Sequence, residues 1–178
     1  VSYVDWDEAN TNLLTTMISI QKFLGKEGRF FDLLEASATE SLHSVQMLVK
    51  YLKNLKELKR LDEFIAMRRK DKAINTKITE AICTHFITAL EKEDIEALSN
   101  ALYKVPKTVE KIAERLLLAP QGLQGVDLSK QGTLLEQAAA LVLAMIQNLR
   151  KGISLPQIQS YNEQLQGIEG EADKVLVE

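Results

Sequence analysis

The sequence predicts an all-α fold, an elongated helical bundle, and two observations support that prediction. Leu, Ala, Glu, Lys and Gln dominate long stretches that only three prolines and eight glycines interrupt, which is helix-forming composition. Apolar residues also recur at spacings of three and four, the period of one helix face. We therefore expect helices throughout the chain and no strand.

Length and charge limit the classes of protein to which this chain can belong. A chain of 178 residues, 46% of them hydrophobic, can form one domain, residues 1–178, around one core. The net charge of −3 does not favour a nucleic-acid partner. No apolar run approaches the ~20 residues of a membrane span, and no signal peptide is recognisable. One cysteine, Cys83, suits a reducing compartment and is expected to pack as a small apolar residue. We expect a cytoplasmic protein without direct membrane insertion.

The glycines and prolines predict where helices begin and end. An N-terminal helix, residues 1–25, is expected to end at Gly25. A second helix begins near Arg29, and a third carries an apolar stripe from about residue 58 to residue 86. The acidic stretch 91–94 begins a fourth helix with Asp94 as N-cap. This helix should kink at Pro106.

The glycine-rich stretch 120–132 predicts a linker between two halves of the chain. It follows Pro120 and Gly122, which should end the preceding helix. Helices resume near Thr133, break at Gly152 and restart around Pro156, a residue suited to a first helical turn.

An internal repeat relates these halves at an offset of 101 residues. We predict a first three-helix unit at 29–119 and a partial second unit at 133–178. The apolar face of the second unit should be covered by another chain, by a longer natural protein or by a displaced terminal helix. The apolar matches are Leu33 with Leu134, Leu34 with Leu135, Ala38 with Ala139, Leu42 with Leu143, Val45 with Ile146, Leu48 with Leu149, Phe64 with Leu165 and Ile74 with Val175.

The repeat reverses two charges. Glu169 and Asp173 stand one helical turn apart and fall on Arg68 and Lys72 of the first unit. Carboxylates at this spacing share a helix face and can chelate a hard cation, although two carboxylates are too few without further ligands. Paired acids on a solvated helix are the alternative interpretation.

The basic residues of the first unit could bind an anion or a partner protein. They are Arg68, Arg69, Lys72, Lys104 and Lys107. A solvated face is the alternative, because Asp71, Glu63 and Glu110 are near enough in sequence to neutralise these charges.

Enzyme chemistry is not expected. Glu40 and His43 form one Glu-x-x-His, which a di-iron bundle uses twice, and Ile82 stands where His85 would need its glutamate. Both histidines are therefore read as core-edge residues.

Three stretches carry a resemblance to a known family. They are HFITALEKEDIEALSNALYKV at 85–105, RFFDLLEASATESL at 29–42 and IEGEADKV at 168–175. The chain from about residue 29 resembles the PhoU-like family of phosphate-transport accessory proteins, in the branch associated with low-affinity phosphate permeases. The resemblance implies a bundle of repeated three-helix units, a dimer, and a partner that is a phosphate permease or signalling protein.

The resemblance also implies a divalent or trivalent metal ion at Glu169 and Asp173. In the first unit the family's acidic signature is replaced by Arg68 and Lys72, and its neighbouring aspartates by the segment Tyr103–Lys107. Each cation about 6 Å from a dication would oppose binding by about 5 kcal/mol at an effective dielectric near 20, so we expect no metal there.

Three functions therefore remain open from the sequence. The first is a non-enzymatic regulatory or accessory protein of phosphate transport or phosphate homeostasis that acts by protein–protein interaction. The second is a carboxylate metal-binding helical bundle. The third is a plain self-association scaffold. The aromatic residues Tyr3 and Trp6, outside the repeat, are expected to cap the bundle.

Overall fold

The computed structural model describes the backbone of residues 6–54, 57–84, 90–118 and 126–177, and the side chains of these ranges from residue 28 to residue 175. Five α-helices fill the described ranges, which contain no strand, and this confirms the predicted all-α fold. The helices are α1 (Trp6–Lys53), α2 (Asp62–Thr84), α3 (Lys92–Leu118), α4 (Ser129–Leu149) and α5 (Leu155–Val177).

The first helix corrects the predicted stop at Gly25. α1 is continuous over 48 residues, about 72 Å at 1.5 Å per residue. A glycine inside a helix costs only about 1 kcal/mol relative to alanine, which neighbouring helix formers can offset. The glycine with a positive φ in the described residues is Gly152 (φ +79°), where α4 ends as predicted. Tyr3 and the side chain of Trp6 lie outside the described residues.

Two other helix starts differ from the predictions. Asp94 lies in the first turn of α3 rather than at its N-cap, where its charge still complements the helix dipole. α4 begins at Ser129, ahead of the predicted Thr133. α3 continues through Pro106 as one helix, and its predicted end at Pro120 and Gly122 lies outside the described residues. α5 begins at Leu155, next to the predicted Pro156.

The helices α1, α2 and α3 pack against one another around two apolar clusters. Leu34, Ile74 and Leu102 belong to the first cluster. Phe64 and Val109 belong to the second. Each helix contributes one apolar face, whose residues are three or four positions apart. The sequence pattern therefore predicts which apolar residues of these helices can form the core.

Three serines of α1 are buried where α1 packs against its neighbouring helices. Ser37, Ser41 and Ser44 are buried on one face of α1. The Ser41 hydroxyl donates to the Leu102 carbonyl at 3.2 Å, and the Ser44 hydroxyl donates to the Ser41 carbonyl at 2.7 Å. These buried hydroxyl groups are thus hydrogen-bonded rather than left without partners.

The helix α4 runs antiparallel along α1. A Cβ placed on Gly132 would lie 3.4 Å from the Leu52 Cδ1 atom, near the end of α1. At the other end of α4 the Arg150 guanidinium pairs with Asp32 and, at 2.9 Å, with Glu35. This packing places α4 beside the three-helix unit.

The helix α5 packs against α4, and none of its described side chains is buried. The Asn148 amide of α4 donates to the Tyr161 hydroxyl of α5 at 2.5 Å. The half-buried side chains of α5 recur at helical spacing and form one stripe, which consists of Tyr161, Leu165, Ile168, Ala172 and Val175.

By length and composition, one described helix, α4, is apolar enough to cross a membrane. Of its most apolar stretch, 17% is buried inside the protein, so burial within this chain accounts for little of the apolar character of α4.

Candidate functional site

An open apolar groove lies between α4 and α5, with a volume of about 470 Å³. Gln131 and Glu169 add polar groups to it. Three leucines, one isoleucine and two alanines form its apolar lining. The apolar lining consists of Leu134, Leu135, Ala138, Leu165, Ile168 and Ala172.

Most of the exposed large apolar side chains lie in the second part of the described chain, and one of them, Leu135, lines the groove. Five large apolar side chains are exposed in the described residues, and one of them, Leu118, lies in α3. The other four follow residue 125; they are Val126, Leu135, Leu155 and Ile158. An open apolar groove of this kind is typical of a site for another protein element.

Glu169 and Asp173, the predicted metal ligands, lie on α5 and are exposed. Glu169 lines the groove, and neither carboxylate forms an ion pair with a described residue. The described residues contain no group of three or more His, Cys, Asp or Glu side chains placed to hold a metal ion. A hard cation would need more ligands than these two carboxylates.

The predicted basic patch is divided by the structure. Arg68 is half-buried and pairs with Glu110 of α3, which holds the pKa of this guanidinium above its ordinary value. Four other members are exposed, and they are Arg69, Lys72, Lys104 and Lys107. Arg68 is therefore part of the interface between α2 and α3, and four cations remain on the surface.

Asp71 was expected on the surface, yet it is fully buried between α1 and α2. The Ser37 hydroxyl donates to its Oδ1 atom at 2.7 Å, and its Oδ2 atom has no hydrogen-bond partner among the described residues. Burial raises the pKa of the carboxyl to about 6, the Ser37 hydrogen bond opposes the increase, and the nearby Glu40 adds to it. The apolar period of α2 gave the signal, since Asp71 follows Phe64 by seven residues and precedes Ile74 by three.

Glu40 and His43 do not form a metal site with Asp71. Glu40 is buried and its Oε1 atom accepts a hydrogen bond from Lys70 at 2.5 Å. His43 lies at 3.7 Å from the same oxygen with half of its side chain exposed. His85 lies outside the described residues. The prediction for Cys83 is wrong, because its side chain is exposed.

A second depression, of about 380 Å³, lies where α1 gives way to α2. The Tyr51 hydroxyl donates to the Glu63 carboxylate at 3.1 Å, and Arg60 pairs with Asp62 at 2.6 Å. Its charges are of both signs and several are paired with each other, so it offers less to a ligand than the groove between α4 and α5.

The chain matches no protein-family model, and a comparison with curated proteins finds no significant match.

Proposed function

We propose that this chain is a regulatory or accessory protein of phosphate transport that acts by binding another protein, without catalysis of its own. The observation that carries the binding role is the apolar groove between α4 and α5, lined by Leu135 with 37% of its surface exposed. Apolar surface that the chain leaves open favours a protein partner over a small polar substrate.

The link to phosphate rests on the sequence resemblance at residues 29–42, 85–105 and 168–175 to PhoU-like accessory proteins. On this proposal the protein is cytoplasmic and dimeric, and its partner is a phosphate permease or a signalling protein. Fold alone does not define such a role, so the test must be made in cells.

The test is phosphate uptake in cells that lack the gene, after complementation with defined variants. Wild-type protein should restore the uptake response, and Ala138→Trp, which fills the groove, should not. Ala140→Trp is the matched control, because residue 140 is exposed on the same helix and does not line the groove. Unchanged uptake in the deletion strain would refute the phosphate role.

A carboxylate metal site at Glu169 and Asp173 is a second candidate. It is favoured by two exposed acids, one turn apart, that lack ion-pair partners among the described residues. Elemental analysis of the purified protein should then show stoichiometric metal that Glu169→Ala removes. Glu171→Ala, which alters an acid on another face of α5, should retain the metal. Protein free of metal after dialysis into calcium, manganese or iron salts would refute this candidate.

A further inference from the structure

The groove between α4 and α5 corresponds to a filled groove elsewhere in the same chain. At the offset of 101 residues, its six apolar lining positions fall on residues of α1 and α2 that belong to the first three-helix unit. These are Leu33, Leu34, Ser37, Phe64, Met67 and Asp71.

The two grooves differ in how much of their lining is covered. Leu34 is 0% exposed, whereas its counterpart Leu135 is 37% exposed. Phe64 is 1% exposed, whereas its counterpart Leu165 is only half-buried. The lining is less covered at four of the six matched positions, which are Leu135, Ala138, Leu165 and Ala172. Ile168 is half-buried like its counterpart Met67, and Leu134 is buried where Leu33 is half-buried.

The covering element of the first groove is α3. Ile95 and Leu102 of α3 share a cluster with Leu34, and Val109 and Ala113 share a cluster with Phe64. In the described part of the chain no helix holds the corresponding place against α4 and α5. The open groove thus has the shape of a site for one amphipathic helix.

Charge defines the chemistry of that helix. In the first unit Arg68 of α2 pairs with Glu110 of α3, and both side chains are less than one-third exposed. At the offset of 101 residues, Glu169 of α5 corresponds to Arg68 of α2. A helix that packed on α4 and α5 as α3 packs on α1 and α2 would therefore need a basic residue at the position where α3 has Glu110. Opposite charges at such a position set register and partner choice.

The net charge of α5 argues against a second copy of this chain as the occupant. Glu163, Glu169, Glu171 and Asp173 against the single Lys174 give α5 four negative charges and one positive charge, a net charge of −3. Two copies packed groove to groove would bring together two helices of net charge −3, with Glu169 of each copy in the groove, whereas a basic helix would neutralise this charge.

We propose that the groove between α4 and α5 binds an amphipathic helix of a partner protein, seated as α3 is in the first unit, with Lys or Arg facing Glu169. This inference rests on the binding role of the proposed function, which uses the same groove. The link to phosphate is separate, since peptide binding can succeed where phosphate uptake in the deletion strain is unchanged.

The experiment uses two peptides of residues 92–118, one with the natural sequence and one with Glu110→Lys, each labelled for fluorescence anisotropy. The whole chain should bind the Glu110→Lys peptide about tenfold more tightly at low salt. Replacing Glu169 with Arg should invert this preference. Circular dichroism of each protein variant checks that its helices are retained.

Two tryptophan variants show which groove the peptide enters. Ala138→Trp should abolish binding of the Glu110→Lys peptide, and Ala140→Trp should leave it unchanged. If the peptide bound Ala138→Trp as tightly as the wild type, it would have entered the first unit in place of α3. That result would overturn the proposal.

Other outcomes would also overturn it. Equal affinity for both peptides, or no binding at millimolar peptide, contradicts the charge-selected site. A dimer that Leu135→Asp converts to a monomer would assign the groove to a second copy. Binding of the natural peptide only with added divalent cation would assign Glu169 to a metal bridge.

Discussion

The unit formed by α1, α2 and α3 and the hairpin formed by α4 and α5 carry the same apolar spacing but bury it to different extents. Phe64 of α2 is 1% exposed, whereas none of the described side chains of α5 is buried. The difference lies in the third helix, because α3 covers α1 and α2 while the α4–α5 groove stays open. An amphipathic pattern therefore defines a surface that can be buried, and the packing partner decides whether burial occurs.

Removing matched large side chains should show the difference most clearly. We expect Phe64→Ala to reduce the free energy of unfolding by about 3–5 kcal/mol, because it leaves a cavity in a closed core. Leu165→Ala should cost about 1 kcal/mol or less, because its side chain is already partly hydrated. Urea denaturation of both variants measures these losses. Equal losses would show that the hairpin is closed in solution.

The buried carboxyl of Asp71 should make the first unit sensitive to pH. The pKa of Asp71 is raised from 3.8 to about 6 in the folded protein, so the folded state retains a proton that the unfolded state releases between these values. Stability from this group is therefore full below about pH 4 and lost as pH rises through about 6.

Asp71→Asn should remove this pH dependence. We expect the variant to be more stable than wild type by about 1–3 kcal/mol at pH 7.5 and nearly equal at pH 4. Denaturation midpoints at several pH values test the difference, with Asp173→Asn as the exposed control. If the stability difference between the wild type and Asp71→Asn did not change with pH, the raised pKa of Asp71 would be contradicted.

The charge-reversed positions should contribute unequally to stability. Arg68→Ala breaks a half-buried ion pair with Glu110 and should cost about 1 kcal/mol, near the upper end for exposed pairs. Glu169→Ala should change stability by less than about 0.5 kcal/mol, because no described residue pairs with it. Thermal denaturation at low and high salt measures both; a larger loss for Glu169→Ala would indicate a partner within the chain.

Replacing a glycine with alanine should give the smallest difference in stability between α5, which packs on α4, and α4, which also packs on α1. Gly167→Ala should stabilise α5 by about 0.5–1 kcal/mol through helix propensity, since a Cβ there meets nothing within 4 Å. Gly132→Ala should gain less, because its Cβ would meet the side chains of Leu52 at 3.4 Å and Val49 at 3.5 Å. Hydrogen exchange of the α4 and α5 amides resolves the two effects, and equal protection would show that the α1–α4 contact adapts freely.

Sequence reasoning predicted the helices well where local chemistry decides their limits. The break at Gly152 and the restart beside Pro156 follow from left-handed backbone and fixed φ, which belong to single residues. The stop predicted at Gly25 failed because glycine permits a helix end without requiring one. Neighbouring residues and tertiary packing decide between the two outcomes.

The candidate site was only partly predictable. Glu169 was identified from its spacing and does line the groove, but the basic patch lost Arg68 to an interface with Glu110. Asp71 is buried and Cys83 is exposed. Both positions are the opposite of what the polarity of the side chain alone predicts. Helix rotation about its axis places a side chain inside or outside, and polarity alone does not determine it.

The sequence by itself determined that this protein is helical, since periodicity and helix propensity act over a few neighbouring residues. Which apolar stripe is covered, which acid is buried and where a groove stays open were decided by the tertiary structure. These outcomes depend on contacts between segments far apart in the chain, such as α4 along α1 and α3 across α2, and no local pattern specifies them.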